Sequence, residues 1–384
     1  MPFEFSTATK IIFGAGTLKE LEKLLPQYGT RALVVTGSKP DRAAPLLGLL
    51  DSQKIPYSVF PADGEPGVED ARRGVAQARE AGSDFVIAFG GGSVIDTGKA
   101  IAALLTNPGD PLDYLEVIGA GKPIKNASAP FIAIPTTAGT GSEVTSNAVL
   151  ASPEHRVKVS LRSPLMLARL ALVDSELTQS CPPDVTAYSG LDALTQVIEP
   201  YVSNKANPFS DAYCLIGINE IAEALEQAYA EGLPEAREAL ALGSLCGGIA
   251  LANAKLGAVH GFAGPIGGMF DAPHGAICAR LLPFVMETNI RAMQSREPKN
   301  PALQRYWMVA SRLDYLASET DLEEGVAWVH RVCEKLHVPP LSKYGITSAD
   351  IPAIVEKSAV ASSMQGNPIK LTTDEMEQIL ARAI

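Results

Sequence analysis

The sequence predicts an α/β chain in two parts: an amino-terminal domain built on a parallel sheet over residues 1–178 and an all-helical carboxy-terminal domain over residues 179–384. Two features of the chain carry this expectation. Through about residue 175, short apolar runs rich in β-branched residues alternate with helical stretches, the pattern of strands covered on both faces in a doubly wound sheet. Beyond Cys181-Pro-Pro183 the texture turns to Ala, Leu and Glu with few β-branched clusters, which reads as helix throughout.

Taken along the chain, Arg31–Thr36, Tyr57–Phe60, Asp84–Phe89, Pro130–Ile134 and Leu170–Val173 are the predicted strands, each an apolar run bounded by polar or turn-forming residues. Thr17-Leu-Lys-Glu20 has the spacing of a capping box and predicts a helix start. Glu69–Ala81 carries Val75, Ala78 and Arg79 at helical spacing. Gln294–Asn300, charged and proline-containing, reads as a surface loop between helices.

Composition narrows the possible functions. With 46% hydrophobic and 20% charged residues the chain has enough apolar surface to build a core. Its 32 Lys and Arg against 43 Asp and Glu give a net charge of −11, with no dense basic block, which argues against nucleic acid as a partner. No run of about 18 apolar residues occurs, so no membrane partner is expected. Five widely spaced cysteines, none in a Cys-x-x-Cys pair, read as buried, reduced thiols. A soluble, cytoplasmic protein is the expectation.

Three segments carry chemistry. Gly90-Gly-Gly-Ser-Val-Ile-Asp-Thr-Gly-Lys-Ala100 leaves a predicted strand and enters a predicted helix. Consecutive glycines let the backbone approach a ligand, and the first N–H groups of a helix face an anion such as a pyrophosphate. It is not a Walker A loop, because Ser93 stands where Gly is needed and Ala100 where Ser or Thr is needed. Ile134-Pro-Thr-Thr-Ala-Gly-Thr-Gly-Ser-Glu-Val-Thr145 also leaves a strand, and its hydroxyls suit phosphate, ribose or amide, or bond their own backbone. In the helical half, Asp192 and Gln196 share a helix face. Further on, His260 and His274 are each followed by glycine. Two imidazoles and a carboxylate form a divalent-metal set suited to Fe(II) or Zn(II).

Together, Gly90–Ala100, Pro135–Thr145, Gly190-Leu-Asp-Ala-Leu-Thr195, Val259-His-Gly261 and Pro273-His-Gly275 resemble the iron-containing (group III) alcohol dehydrogenase family, in order and over nearly the whole chain. The resemblance implies a dinucleotide-binding α/β domain, an all-helical metal-binding domain and a cleft between them, the dehydroquinate synthase-like architecture. It further implies NAD(P)-linked oxidation of small-molecule alcohols or reduction of aldehydes and ketones, by a homodimer or larger homo-oligomer. Carried over residue by residue, Gly91, Gly92 and Ser93 resemble the pyrophosphate binders, and Thr136, Thr137, Thr140 and Ser142 resemble contacts to phosphate and nicotinamide. Lys158 resembles the lysine near the ribose, and Gly37, Ser38 and Asp96 complete the cofactor set. Asp192, His260 and His274 match metal ligands and are the expected catalytic centre, with Gln196 at the fourth ligand position.

Two departures from the family pattern stand out. Gln196 occupies a position where relatives usually carry His, and Gly264 replaces the second His of H-G-x-x-H-P. A carboxamide oxygen is a poorer partner for Fe(II) or Zn(II) than imidazole nitrogen, so a weakly bound or absent metal is one expectation. After the strand ending at Thr36 the chain reads Gly37-Ser38-Lys39-Pro40, without the acidic residue that NAD-selective sites use to bond ribose and repel a 2′-phosphate. With Lys39 or Arg42 nearby, NADP is preferred over NAD. Competing readings are a metal-independent maleylacetate-reductase-like enzyme, a dehydroquinate-synthase-like lyase, and a catalytically impaired nucleotide-binding protein. Of the five His, His155, His330 and His337 have no motif around them.

Overall fold

The computed structural model describes residues 2–62, 64–155, 157–314 and 321–384. The backbone divides into two compact units, one made of Ser6–Thr137 and Gly141–Cys181, the other of Pro182–Ile384 with the residues up to Phe5 and Ala138–Thr140. The break after Cys181 falls at the proline pair rather than after residue 178. Thr140, read as part of the amino-terminal domain, groups with the helical unit, where a Cβ at Gly139 would lie 2.7 Å from Ser189 Cβ.

The first unit contains β1 (Ile11–Phe13), β2 (Ala32–Thr36), β3 (Tyr57–Pro61), β4 (Phe85–Gly90), β5 (Phe131–Pro135), β6 (Asn147–Ser152), β7 (Val157–Arg162) and β8 (Leu170–Val173). Six of them form one sheet in the order β1-β8-β5-β4-β2-β3, while β6 and β7 pair as a separate antiparallel ribbon. Every neighbour pair in the six-stranded sheet is parallel, because β2, β4, β5 and β8 are buried at every position and need cover on both faces. The cover on one face comes from Leu21, Leu25, Leu46 and Leu50, packed with Val34, Phe85, Ile87 and Ile132.

Helices α1 (Leu21–Leu24), α2 (Ala44–Ser52), α3 (Val68–Ala81), α4 (Gly92–Thr106) and α5 (Pro111–Tyr114) lie between these strands. α4 seats directly on β4 at Gly98, where a Cβ would come within 2.7 Å of the Ala88 methyl. The capping box predicted at Thr17–Glu20 does not form. That segment is a 3-10 turn preceded by left-handed Gly16, and Thr17 Oγ1 donates back to Gly14 O at 2.8 Å instead of capping a helix.

The second unit is helical: α6 (Pro183–Val202), α7 (Pro208–Ala230), α8 (Pro234–Ala254), α9 (Ala258–Met269), α10 (His274–Arg296), α11 (Ala302–Leu313), α12 (Leu322–Lys335), α13 (Ile351–Ala359) and α14 (Thr373–Ala383). From Gly190 to Val202 every residue of α6 is buried, making it the central helix of the unit. α10 extends through Arg296, into the segment predicted as loop, because Arg296 is anchored by Glu375 Oε1 and Oε2 at 2.9 and 2.8 Å and by Lys370 O at 3.1 Å. Among the described residues no single helix is long and apolar enough to cross a membrane. The five cysteines are all buried and none is in a disulfide.

Candidate metal centre and cofactor-binding loops

Strand order places the predicted cofactor residues of the first unit along one edge of the sheet. The chain leaves β2 outward to β3 but leaves β4 towards β5 on the other side. The point between β2 and β4 is therefore a topological switch, where open α/β sheets bind ligands beyond the carboxyl ends of their strands. Thr36 pairs with Phe89 and Gly90 with Pro135, so Gly37-Ser38, Gly91-Gly92-Ser93 and Thr136-Thr137 emerge side by side. A Cβ at Gly91 would lie 3.5 Å from both Thr137 Cγ2 and Oγ1. Gly91 caps α4 in an extended conformation, leaving the first N–H groups of that helix without intrahelical partners and available to an anion.

Lys99 and Asp96, in the same helix, hold the loop that follows β5. Lys99 is fully buried, and its Nζ donates to Asn147 O at 2.6 Å, Ser142 O at 2.8 Å and Thr145 Oγ1 at 2.9 Å. Asp96 Oδ2 accepts from Val149 N at 2.9 Å, and its Oδ1 lies 3.5 Å from Lys99 Nζ. The carboxylate of Asp96, predicted among the cofactor contacts, is thus engaged with its own chain. Lys158, on β7, pairs with Glu65 Oε2 at 3.1 Å. Arg42, one candidate for a 2′-phosphate, is hydrogen-bonded to Ser180 Oγ, while Lys39 is exposed.

The predicted metal ligands converge in the helical unit. Asp192 comes from α6, His260 from α9 and His274 from the first position of α10. His260 Nε2 is 3.4 Å and His274 Nε2 3.8 Å from Asp192 Oδ1. That oxygen is buried and has no hydrogen-bond partner. The approach of α10 to α6 depends on Gly275, whose Cβ would stand 2.6 Å from Tyr188 O.

Gln196 sits one turn along α6 and donates Nε2 to Asp192 Oδ2 at 2.9 Å, while its own Oε1 is buried without a partner. Sequence reasoning missed two further residues. Glu199, seven positions beyond Asp192 on α6, accepts from His260 Nδ1 at 2.7 Å and from Val259 N at 2.6 Å. A carboxylate only accepts, so Nδ1 carries a proton, and Nε2 is the ring nitrogen left to face Asp192. Cys278, one turn beyond His274, places Sγ 3.6 Å from His274 Nε2 and 3.9 Å from His260 Nε2. The donor atoms of Asp192, His260, His274 and Cys278 all lie within 4.8 Å of one another.

Electrostatics make this cluster seek positive charge. Burial pushes the Asp192 carboxyl up, but His274 and His260 outweigh it and hold the group down to about 2. Burial disfavours charge on His260, yet Cys278, Asp192 and Glu199 raise its imidazole well above the ordinary range. An orphaned carboxylate oxygen, two imidazole nitrogens facing it and an outer carboxylate orienting one ring fit a divalent metal ion.

Of the other histidines, His155 Nδ1 is 2.8 Å from Ser152 Oγ and His330 packs edge-on against Phe284. Phe262, two residues beyond His260, is fully buried in the core.

A parallel dinucleotide-type sheet and a helical unit with an aspartate–bis-histidine cluster fit a metal- and nucleotide-binding enzyme. The chain belongs to the iron-containing alcohol dehydrogenase family: residues 8–175 match the model of the iron-containing alcohol dehydrogenases and residues 186–384 that of their carboxy-terminal region. It is 32% identical to alcohol dehydrogenase 4 of Saccharomyces cerevisiae over 382 residues, covering 97% of this chain and 96% of that protein. It is also 32% identical to an NADPH-dependent butanol dehydrogenase of Clostridium saccharobutylicum, over 98% and 96% of the two chains. The solved structure of a 1,3-propanediol oxidoreductase superposes over 100% of both chains with a TM-score of 0.92 at 31% identity. The protein is accordingly an NAD(P)-dependent oxidoreductase acting on CH–OH groups.

Proposed function

We propose that the protein is an NADP(H)-preferring, divalent-metal-dependent alcohol dehydrogenase that interconverts small-molecule alcohols and their aldehydes or ketones. The observation that carries this reading is the buried, partnerless Oδ1 of Asp192 facing two imidazole nitrogens at 3.4 and 3.8 Å. Asp192, His260 and His274 would hold the cation. When bound, the cation supplies Lewis-acid polarisation of the substrate oxygen, and the nicotinamide carries the hydride.

The chain's own groups bind and orient. The N–H groups at the start of α4 and the hydroxyl of Thr137 receive the cofactor phosphates. Glu199 fixes the tautomer and the angle of His260, and Gln196 fixes Asp192, so that neither donor swings away from the site. Position 264 carries no side chain and opens onto free space, so proton exchange at the substrate oxygen runs through water. The NADP(H) preference follows from Gly37-Ser38-Lys39 after β2, which offers a cation and no carboxylate to a 2′-phosphate. A homodimer or larger assembly and a reducing, cytoplasmic setting belong to the same reading, the latter supported by five cysteines outside disulfides.

Steady-state kinetics on a panel of aldehydes and alcohols test the proposal. The expected result is metal-dependent turnover with kcat/KM at least several-fold higher for NADPH than for NADH. A preference for NADH overturns the cofactor assignment, and undiminished turnover after complete chelation overturns the metal.

A further inference from the structure

We propose that Cys278 is the fourth protein ligand of this centre, making an Asp192–His260–His274–Cys278 site whose thiolate selects Zn(II) over Fe(II). The proposal rests on the metal-dependent reading above and deepens it by naming a ligand and the metal it favours.

Geometry is the first support. With metal–nitrogen or metal–oxygen bonds of about 2.05 Å and a metal–sulfur bond of about 2.3 Å, a tetrahedron has edges of roughly 3.3 Å between N and O donors and roughly 3.6 Å between N and S. The corresponding separations are 3.4 and 3.8 Å from Asp192 Oδ1 to the two imidazole nitrogens, and 3.6 and 3.9 Å from Cys278 Sγ to the same nitrogens. Small contractions close the set around one ion. His274 and Cys278 stand four residues apart on α10, so both project from one face of the helix.

The second support is the state of the alternative ligand. Gln196 already spends its amide N–H on Asp192 Oδ2, so it acts as a brace on the aspartate. Its remaining oxygen is a neutral donor, weaker towards Zn(II) than a thiolate. The third is chemistry: a soft thiolate joined to two imidazoles and a carboxylate matches Zn(II), which can expand from four- to five-coordinate and so leave a position for the substrate oxygen, whereas Fe(II) catalytic sites favour nitrogen and oxygen donors. Binding is balanced by release of the Sγ–H proton to solvent as the sulfur–metal bond forms.

Spectroscopy of the whole chain tests this without relying on turnover. Protein stripped of metal and reloaded with Co(II) is expected to show an intense near-ultraviolet thiolate-to-cobalt charge-transfer band, which Cys278→Ser abolishes while still binding the ion more weakly. Zinc-edge X-ray absorption on the unmodified, zinc-loaded chain is expected to show one sulfur at about 2.3 Å. Stoichiometric cobalt with no thiolate band, or a band that survives in Cys278→Ser, overturns the ligand assignment and leaves the metal-dependent reading standing. Failure of the unmodified chain to bind either ion overturns both.

Discussion

Gln196 Nε2 donates to Asp192 Oδ2 at 2.9 Å across one turn of α6, so the amide N–H braces the aspartate that faces the two imidazoles. The brace leaves the other aspartate oxygen, Oδ1, bare and pointed at the two imidazoles. Replacing Gln196 with Leu removes an orienting partner while keeping the side chain's bulk. Metal affinity is expected to fall by about 10–100-fold. Chelator competition measures it; an unchanged affinity would show that Asp192 needs no brace.

A second prediction concerns Lys99, a fully buried amine that ties α4 to the segment Ser142–Asn147. Lys99→Met deletes the hydrogen bonds of that amine and strips Asp96 of its cationic neighbour. The cost expected is on the order of 3–5 kcal/mol, as for other buried charges left uncompensated. Urea unfolding gives the value, and a loss below about 1 kcal/mol would mean the amine is not the anchor of this loop.

Glu143 sets a pH dependence. Burial pushes its carboxyl up to about 7, against the pull of its own backbone N–H and of Lys99. Because the folded group keeps its proton to a higher pH than the ordinary value of 4.5, the native state binds more protons than the unfolded chain between the two values. The stability this group contributes is complete below about 4.5 and falls as pH rises through about 7, by a total on the order of 3 kcal/mol. Glu143→Gln is expected to flatten that slope. Denaturation midpoints of both proteins from pH 5 to pH 8 decide the matter: parallel curves would remove Glu143 as the cause.

Gly264 lies within α9 and would find nothing within 4 Å of an added Cβ. Gly264→Ala is expected to stabilise the protein by about 0.5–1 kcal/mol, the usual gain from restricting a helical glycine. A destabilised variant in thermal unfolding would reveal a neighbour that the open space conceals.

Much of the fold could be read from the chain because burial on both faces writes a continuous apolar run, and β2, β4, β5 and β8 all carry one. β1 escaped notice because Ile11–Phe13 is only three residues long. β6 alternates buried and half-buried positions, a period-two signal weaker than the runs around it. At the site, Asp192, His260 and His274 were legible through their glycine-flanked motifs. Glu199 and Cys278 were not, since their roles arise only when α6, α9 and α10 pack together. Spacing alone marks Cys278 as another buried thiol, and only its position one turn beyond His274 hints otherwise.

The most direct test of the account is the metal content of purified, reloaded protein, measured by mass spectrometry in parallel with turnover, for the unmodified chain and for Asp192→Ala. The account predicts about one equivalent of divalent metal per chain in the first and loss of both metal and turnover in the second, with NADP(H) binding retained. Full turnover by metal-free protein, or stoichiometric metal still held by Asp192→Ala, would contradict it.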